Sequence, residues 1–124
     1  MKNLVLTPNT SVEDALKFAQ REAKRQKTYQ ALILDPPAYG RGANGEKWVL
    51  EDNLNELIGL CKEILDKEKA FLVLNLYSMG LSALVADTLI KSHFGNVKTE
   101  FGEFYLNSKT KLKLPLGTFL RFQV

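Results

Sequence analysis

Ala31-Leu32-Ile33-Leu34-Asp35-Pro36-Pro37-Ala38-Tyr39-Gly40 is the stretch that decides the fold. Its first four residues are a short apolar run, which reads as a fully buried β-strand. The two prolines cannot continue a central strand, because each lacks the N–H that a ladder needs. The chain must therefore leave the sheet at once, in a stiff turn that fixes where Asp35 and Tyr39 point. Open α/β sheets bind ligands outside the carboxyl ends of their strands. A carboxylate and an aromatic held at such an end suit a planar, polar substrate.

The flanking sequence supports an alternating chain. Val12, Ala15, Leu16, Ala19 and Ala23 recur at helical spacing. Ser11 can cap that helix, and Asp14 falls in the first turn, where a carboxylate is favoured. Leu50, Leu54, Leu57, Ile58, Cys61, Ile64 and Leu65 make the clearest amphipathic helix. Ala70–Leu76 reads as a second strand covered on both faces. Leu81, Leu84, Val85, Thr88 and Leu89 mark a third helix, with Gly95 as its C-terminal cap. Phe101–Leu106 and Leu116–Val124 read as strands, and Asn107–Lys113 between them predicts a hairpin. Gly40–Gly45 holds three glycines and reads as a flexible loop. Leu4-Val5-Leu6 is either an edge strand or part of a leader. The order predicts an α/β fold with a parallel sheet, flanking helices and an antiparallel finish.

Composition narrows the class. The 124 residues suggest one domain, and 45% hydrophobic with 25% charged residues describes a globular chain with a real core. A net charge of +3 is only mildly basic. Lys17, Arg21, Lys24, Arg25 and Lys27 cluster against Glu22 alone, as a solvated helix face or a phosphate-facing patch. The single cysteine excludes an internal disulfide and fits a reducing cytoplasm. Cys61 lies on an apolar helix stripe, where it reads as a small buried hydrophobe. No apolar run approaches the roughly 20 residues of a membrane span, and no signal peptide opens the chain. No cluster of His, Cys and acids suggests a metal, and no phosphate-cradling loop or serine triad is visible.

Asp35-Pro36-Pro37-Ala38-Tyr39 resembles the Asp/Asn-Pro-Pro-aromatic motif of class I S-adenosylmethionine-dependent methyltransferases. The string from Leu34 to Gly42, with Asn44-Gly45-Glu46 and Trp48, is most similar to a bacterial group related to ribosomal RNA methyltransferases. The likeness covers roughly residues 11–124 and only the carboxyl half of such a domain. It implies a three-layer α/β/α arrangement, half of a Rossmann-like sheet closed by an antiparallel hairpin, with residues 1–124 as one acceptor-side domain. The implied activity is methyl transfer from S-adenosylmethionine, with an RNA base as acceptor. Asp35, Pro36, Pro37 and Tyr39 would then border the reacting methyl, and Asp14, Ala15 and Asp35 would meet the cofactor. Against that, Asp14 reads better as a first-turn carboxylate completing the Ser11 cap. Asp35 could accept hydrogen bonds from an amine or base N–H, and Tyr39 could stack on a base taken out of its helix.

The segment Leu74-Asn75-Leu76-Tyr77-Ser78 aligns with a step where cytosine-C5 RNA methyltransferases carry a cysteine nucleophile. Here Tyr77 stands instead, which argues against covalent attack on a pyrimidine. Arg41 reads as a phosphate ligand or a solvated loop residue, Trp48 as an anchor of the loop, and His93 as a helix-end residue. The cofactor's glycine-rich loop has no counterpart. The competing expectation is thus a non-catalytic or truncated module that self-associates, or that pairs with an N-terminal half.

Overall fold

Three strand-to-helix crossovers stepping the same way across a sheet set the architecture. The computed structural model describes residues 3–6, 12–41, 44–77 and 80–124, with no side chains for 3–6 and 12–14. Strands β1 (Asn3–Leu6), β2 (Ala31–Leu34) and β5 (Phe71–Leu76) run parallel, with Leu4 beside Leu32 and Leu32 beside Leu72. Helix α1 (Val12–Lys24) joins β1 to β2, and α2 (Leu50–Ile64) joins β2 to β5. Helix α3 (Ala83–Phe94) then leads to β6 (Thr99–Asn107), which lies two places beyond β5 and leaves one place between them. The returning β7 (Lys113–Gln123) fills that place, antiparallel to both neighbours. The sheet order is β1-β2-β5-β7-β6. Leu4-Val5-Leu6 is thus an edge strand, whereas the expected cap at Ser11 lies outside the described residues.

Parallel crossovers are right-handed. Three in succession, all stepping from β1 towards β6, put their helices on the same face. α1 packs on α2 and α2 on α3. Beneath them lie Leu32, Leu34, Leu72, Leu74, Leu76, Leu120 and Phe122, all buried and all on one side of the pleat. The α/β class with its parallel-then-antiparallel sheet is as expected. Of three layers, the described residues supply two, helices and sheet. The strand Phe71–Leu76 is correspondingly not covered on both faces: Phe71 is 40% exposed, and Val73 and Asn75 are half-buried.

The loop expected at Gly40–Gly45 contains a short hairpin, β3 (Tyr39–Arg41) paired with β4 (Lys47–Val49). Gly40 lies opposite Trp48, and Gly45 takes φ +82°, a turn conformation that suits glycine. Trp48 is 2% exposed, so burying its indole draws the hairpin onto the body. Helix α2 begins directly after, with Val49 N–H donating to Asn53 Oδ1 (3.0 Å). At α3 the Ser82 hydroxyl accepts from Val85 N–H (3.2 Å), and Gly95 closes the helix at φ +75°. His93 Nε2 and Asn55 Oδ1, 2.7 Å apart, tie α3 to α2.

Candidate active site

Asp35 follows the last residue of β2, and strand alternation carries it to the side of Ile33, away from the helices. Pro36 is buried, and the turn after it is held from outside. Trp48 Nε1 donates to the Pro37 carbonyl (2.8 Å), and Leu50 N–H donates to the Ala38 carbonyl (3.0 Å). Tyr39 then pairs with Val49, and its hydroxyl accepts from Arg41 Nε (3.0 Å). The stiffness expected from two prolines is therefore reinforced by an indole and a helix start. Tyr39 is 52% exposed, so its ring faces solvent at the rim of the turn.

Leu34 pairs with Leu74, so the next residues, Asp35 and Asn75, lie side by side at the carboxyl end of neighbouring strands. Asp35 Oδ1 and Asn75 Oδ1 are both buried, and neither has a hydrogen-bond partner. Burial holds the Asp35 carboxyl above the ordinary carboxylate range. Tyr77 comes next on β5's path. Burial raises its phenol, and the Asp35 charge raises it further, so the two groups share one field. Gly117 on β7 makes room for that ring. A Cβ there would sit 2.7 Å from both the Leu76 carbonyl oxygen and Tyr77 Cδ1, and φ is +129°. Two neighbouring strand ends thus gather two buried oxygens in need of donors, with Tyr77 in the field of Asp35 and Tyr39 at the end of the turn. Such a site accepts a group bearing N–H donors on a flat framework.

Of the residues expected to act, the structure brings Asp35, Pro36, Pro37 and Tyr39 together in that turn. Ala15 is buried in the core between the helices and the sheet, and the Asp14 side chain and Ser78 lie outside the described residues. Asn75, the lone polar side chain in an apolar strand, and Gly117, isolated within a strand, are the additions. Either oddity could have been noticed in the sequence, but their meeting with Asp35 depends on long-range register.

The other candidates have structural surroundings. Arg21 and Arg25 lie beside Glu22, which also accepts from Tyr29 Oη (2.6 Å), and that hydrogen bond leads in holding its carboxyl low. Lys17 pairs with Glu46 at 3.2 Å. Cys61 is fully buried and its thiol is pushed up to about 12 by desolvation. Among the described residues no three His, Cys, Asp or Glu side chains form a metal-ligating group. No helix among them is long and apolar enough to cross a membrane.

The fold has counterparts among solved structures. A SAM-dependent methyltransferase from Agrobacterium tumefaciens superposes with a TM-score of 0.78 at 31% identity, over 87% of this chain. A protein assigned as a methyltransferase and solved with SAH gives 0.63 at 21% identity, over 93% of this chain. A protein assigned as a SAM-dependent methyltransferase, from Streptococcus mutans, gives 0.60 at 21% identity over the same share. The chain spans 37% of the Agrobacterium protein's length and 30% of each of the other two. No protein-family model matches it, and no curated protein matches it in sequence. The fold is thus that of one part of a SAM-dependent methyltransferase.

Proposed function

We propose that this chain forms the methyl-acceptor side of an S-adenosylmethionine-dependent methyltransferase, with Asp35–Tyr39 bordering the acceptor. The observation that carries the reading is the unpartnered, buried Asp35 oxygen at the carboxyl end of β2, on a turn fixed by Trp48. The acceptor-rich pair Asp35 and Asn75 fits the N–H groups of an amine-bearing ligand. S-adenosylmethionine, when bound, would supply a methyl on a sulfonium; an in-line acceptor nitrogen would take that methyl as the C–S bond breaks, and SAH would leave as a neutral thioether that needs no acid. Asp35 accepts a hydrogen bond from the acceptor's N–H, which orients the nitrogen lone pair. The surrounding desolvation strengthens that bond relative to water. Tyr39 stacks on the acceptor's face, worth roughly 1–3 kcal/mol if it is a nucleobase. Positioning and preorganised polarity supply the rate, since little covalent chemistry falls to the protein.

The choice of an RNA base as acceptor rests on the likeness of the Leu34–Gly42 string to RNA-modifying enzymes, and a cytoplasmic setting belongs to the same reading. Asp14 and Ala15 are assigned to the cofactor on that likeness alone. A second reading is favoured by the uncovered sheet face. There the chain is non-catalytic alone and self-associates, or works only beside another polypeptide layer.

Calorimetric titration of S-adenosylmethionine or SAH into the chain tests the first reading. Saturable heat at micromolar ligand supports a working pocket, whereas no heat up to millimolar ligand removes it. Asp35→Ala should then abolish transfer while leaving the circular dichroism spectrum unchanged. Transfer that survives the substitution refutes the role given to Asp35. Sedimentation at high concentration separates the second reading, which a strictly monomeric chain would contradict.

A further inference from the structure

The β6–β7 hairpin outgrows the sheet. β5 accompanies β7 only from Gln123 to Thr118, yet β6 and β7 continue through Phe104↔Gly117, Tyr105↔Pro115, Leu106↔Leu114 and Asn107↔Lys113. A bulge between Phe104 and Tyr105 marks where this arm departs. The arm continues in the direction of β5, so it projects past the same strand ends that carry Asp35, Tyr39 and Tyr77.

Its tip is ordered. Ser108 N–H donates to the Leu112 carbonyl (2.8 Å), Leu112 N–H donates to Ser108 Oγ (3.0 Å), and Lys111 N–H donates to the Ser108 carbonyl (3.0 Å). Its charge is one-sided. Beyond Glu103 the chain has Lys109, Lys111, Lys113 and Arg121 and no acid, so these four supply +4 of a net +3, and residues 1–103 carry −1. Arg121 is paired with Glu100 (2.6 Å), which leaves the charge of the arm to its three lysines. Lysines on strands also discourage edge-to-edge aggregation. Lys109 and Lys111 lie in the turn, however, where they guard no edge. Beside them Leu106 and Leu112 are 58% and 68% exposed, apolar surface left in water.

We infer that this arm is a polynucleotide-holding element, with Lys109, Lys111 and Lys113 on phosphates and the exposed leucines against base faces. An extended acidic peptide would satisfy the lysines but not the apolar surface. A single-stranded RNA offers both, and the arm's direction would hand one of its bases to the Asp35 turn. The inference deepens the proposed function by naming the element that grips its acceptor.

Fluorescence anisotropy with a labelled, mixed-sequence single-stranded RNA of about 20 nucleotides tests this on the full chain. Each phosphate neutralised in single strands contributes about 0.7 to the slope of log K against log salt. Replacing all three lysines with alanine should therefore flatten that slope by about 2 and weaken binding about tenfold or more near 0.1 M salt. The triple arginine variant should bind like wild type, which controls for folding. An unchanged slope, no RNA binding by the wild type, or equal competition by polyglutamate would each overturn the inference. The triple alanine variant should bind SAH as wild type does. RNA binding that needs the lysines in a chain that binds no SAH would sink the methyltransferase reading and leave the arm standing.

Discussion

Asp35→Asn should make the protein more stable at neutral pH. The substitution preserves shape and removes only the charge from a side chain with one buried, unpartnered oxygen. Burial raises the Asp35 pKa in the folded state. A carboxyl of this kind favours folding fully only below its unfolded pKa, near 3.8. That contribution is lost as pH rises through the higher folded value. At pH 7 the wild type thus carries a charge that the fold disfavours, and the variant does not. An unpartnered buried polar group costs about 1–3 kcal/mol. Asp35 is only half-buried, so the lower end applies, and a gain of about 1 kcal/mol corresponds to roughly 3–6 °C in Tm for a chain of this size. The introduced amide could also donate to Asn75 Oδ1, which adds to the gain. Thermal melts of both proteins between about pH 4 and pH 8 measure it. The gap should be widest at neutral pH and close towards pH 4. An Asp35→Asn protein that melts below wild type at pH 7, or a gap that ignores pH, would refute the reasoning. On the proposed reading, the disfavoured charge at this strand end would be a trade of stability for function.

Three other outcomes follow from the same geometry. Trp48→Phe removes the donor to the half-buried Pro37 carbonyl and leaves a void in place of part of a buried indole, so urea unfolding should show a loss of about 2–4 kcal/mol; a loss under about 1 kcal/mol would mean that the turn is self-supporting. Gly117→Ala places a methyl 2.7 Å from the Leu76 carbonyl at φ +129°, and its Tm should fall by an amount equivalent to about 2 kcal/mol or more. Cys61 should resist a thiol-specific disulfide reagent at pH 8 in the folded chain and react at once in urea, because burial pushes its pKa to about 12; rapid labelling of the native protein would contradict the burial.

Periodicity carried most of the fold. The helix beginning at Leu50 and the strands at Ala31 and Phe71 follow from local patterns that tertiary structure had no reason to override. The β3–β4 hairpin was not legible, because three-residue strands around a glycine-rich link carry no period. Its pairing comes from burying Trp48 against Pro37, eleven residues away. The apolar runs Ala31–Leu34 and Ala70–Leu76 suggested cover on both faces, but a run of apolar residues reports tolerance of burial, not its occurrence. The direction of the crossovers decides that, and direction is a property of topology. The Asp35–Tyr39 turn could be read because proline dictates it locally. Asn75 and Gly117 could not be assigned to it, since they reach Asp35 only through the register of β2, β5 and β7.

The one-way winding also explains why the candidate site is polar and unfinished at once. Asp35 and Asn75 lie on the side of the sheet that the three helices leave open, where Ile33 and Val73 are half-buried and Phe71 is exposed. Any layer that covered those apolar side chains would gain roughly 25 cal/mol for each Å² removed from water. The same layer would strip the remaining water from Asp35 and Asn75, and their lack of donors would become more costly. Covering the face and supplying N–H groups to the two oxygens are therefore energetically linked. A ligand that satisfies the oxygens favours the covered state, and the covered state, by reciprocity, binds that ligand more tightly. The uncovered sheet face is thus also what would make the site respond to any layer that came to cover it.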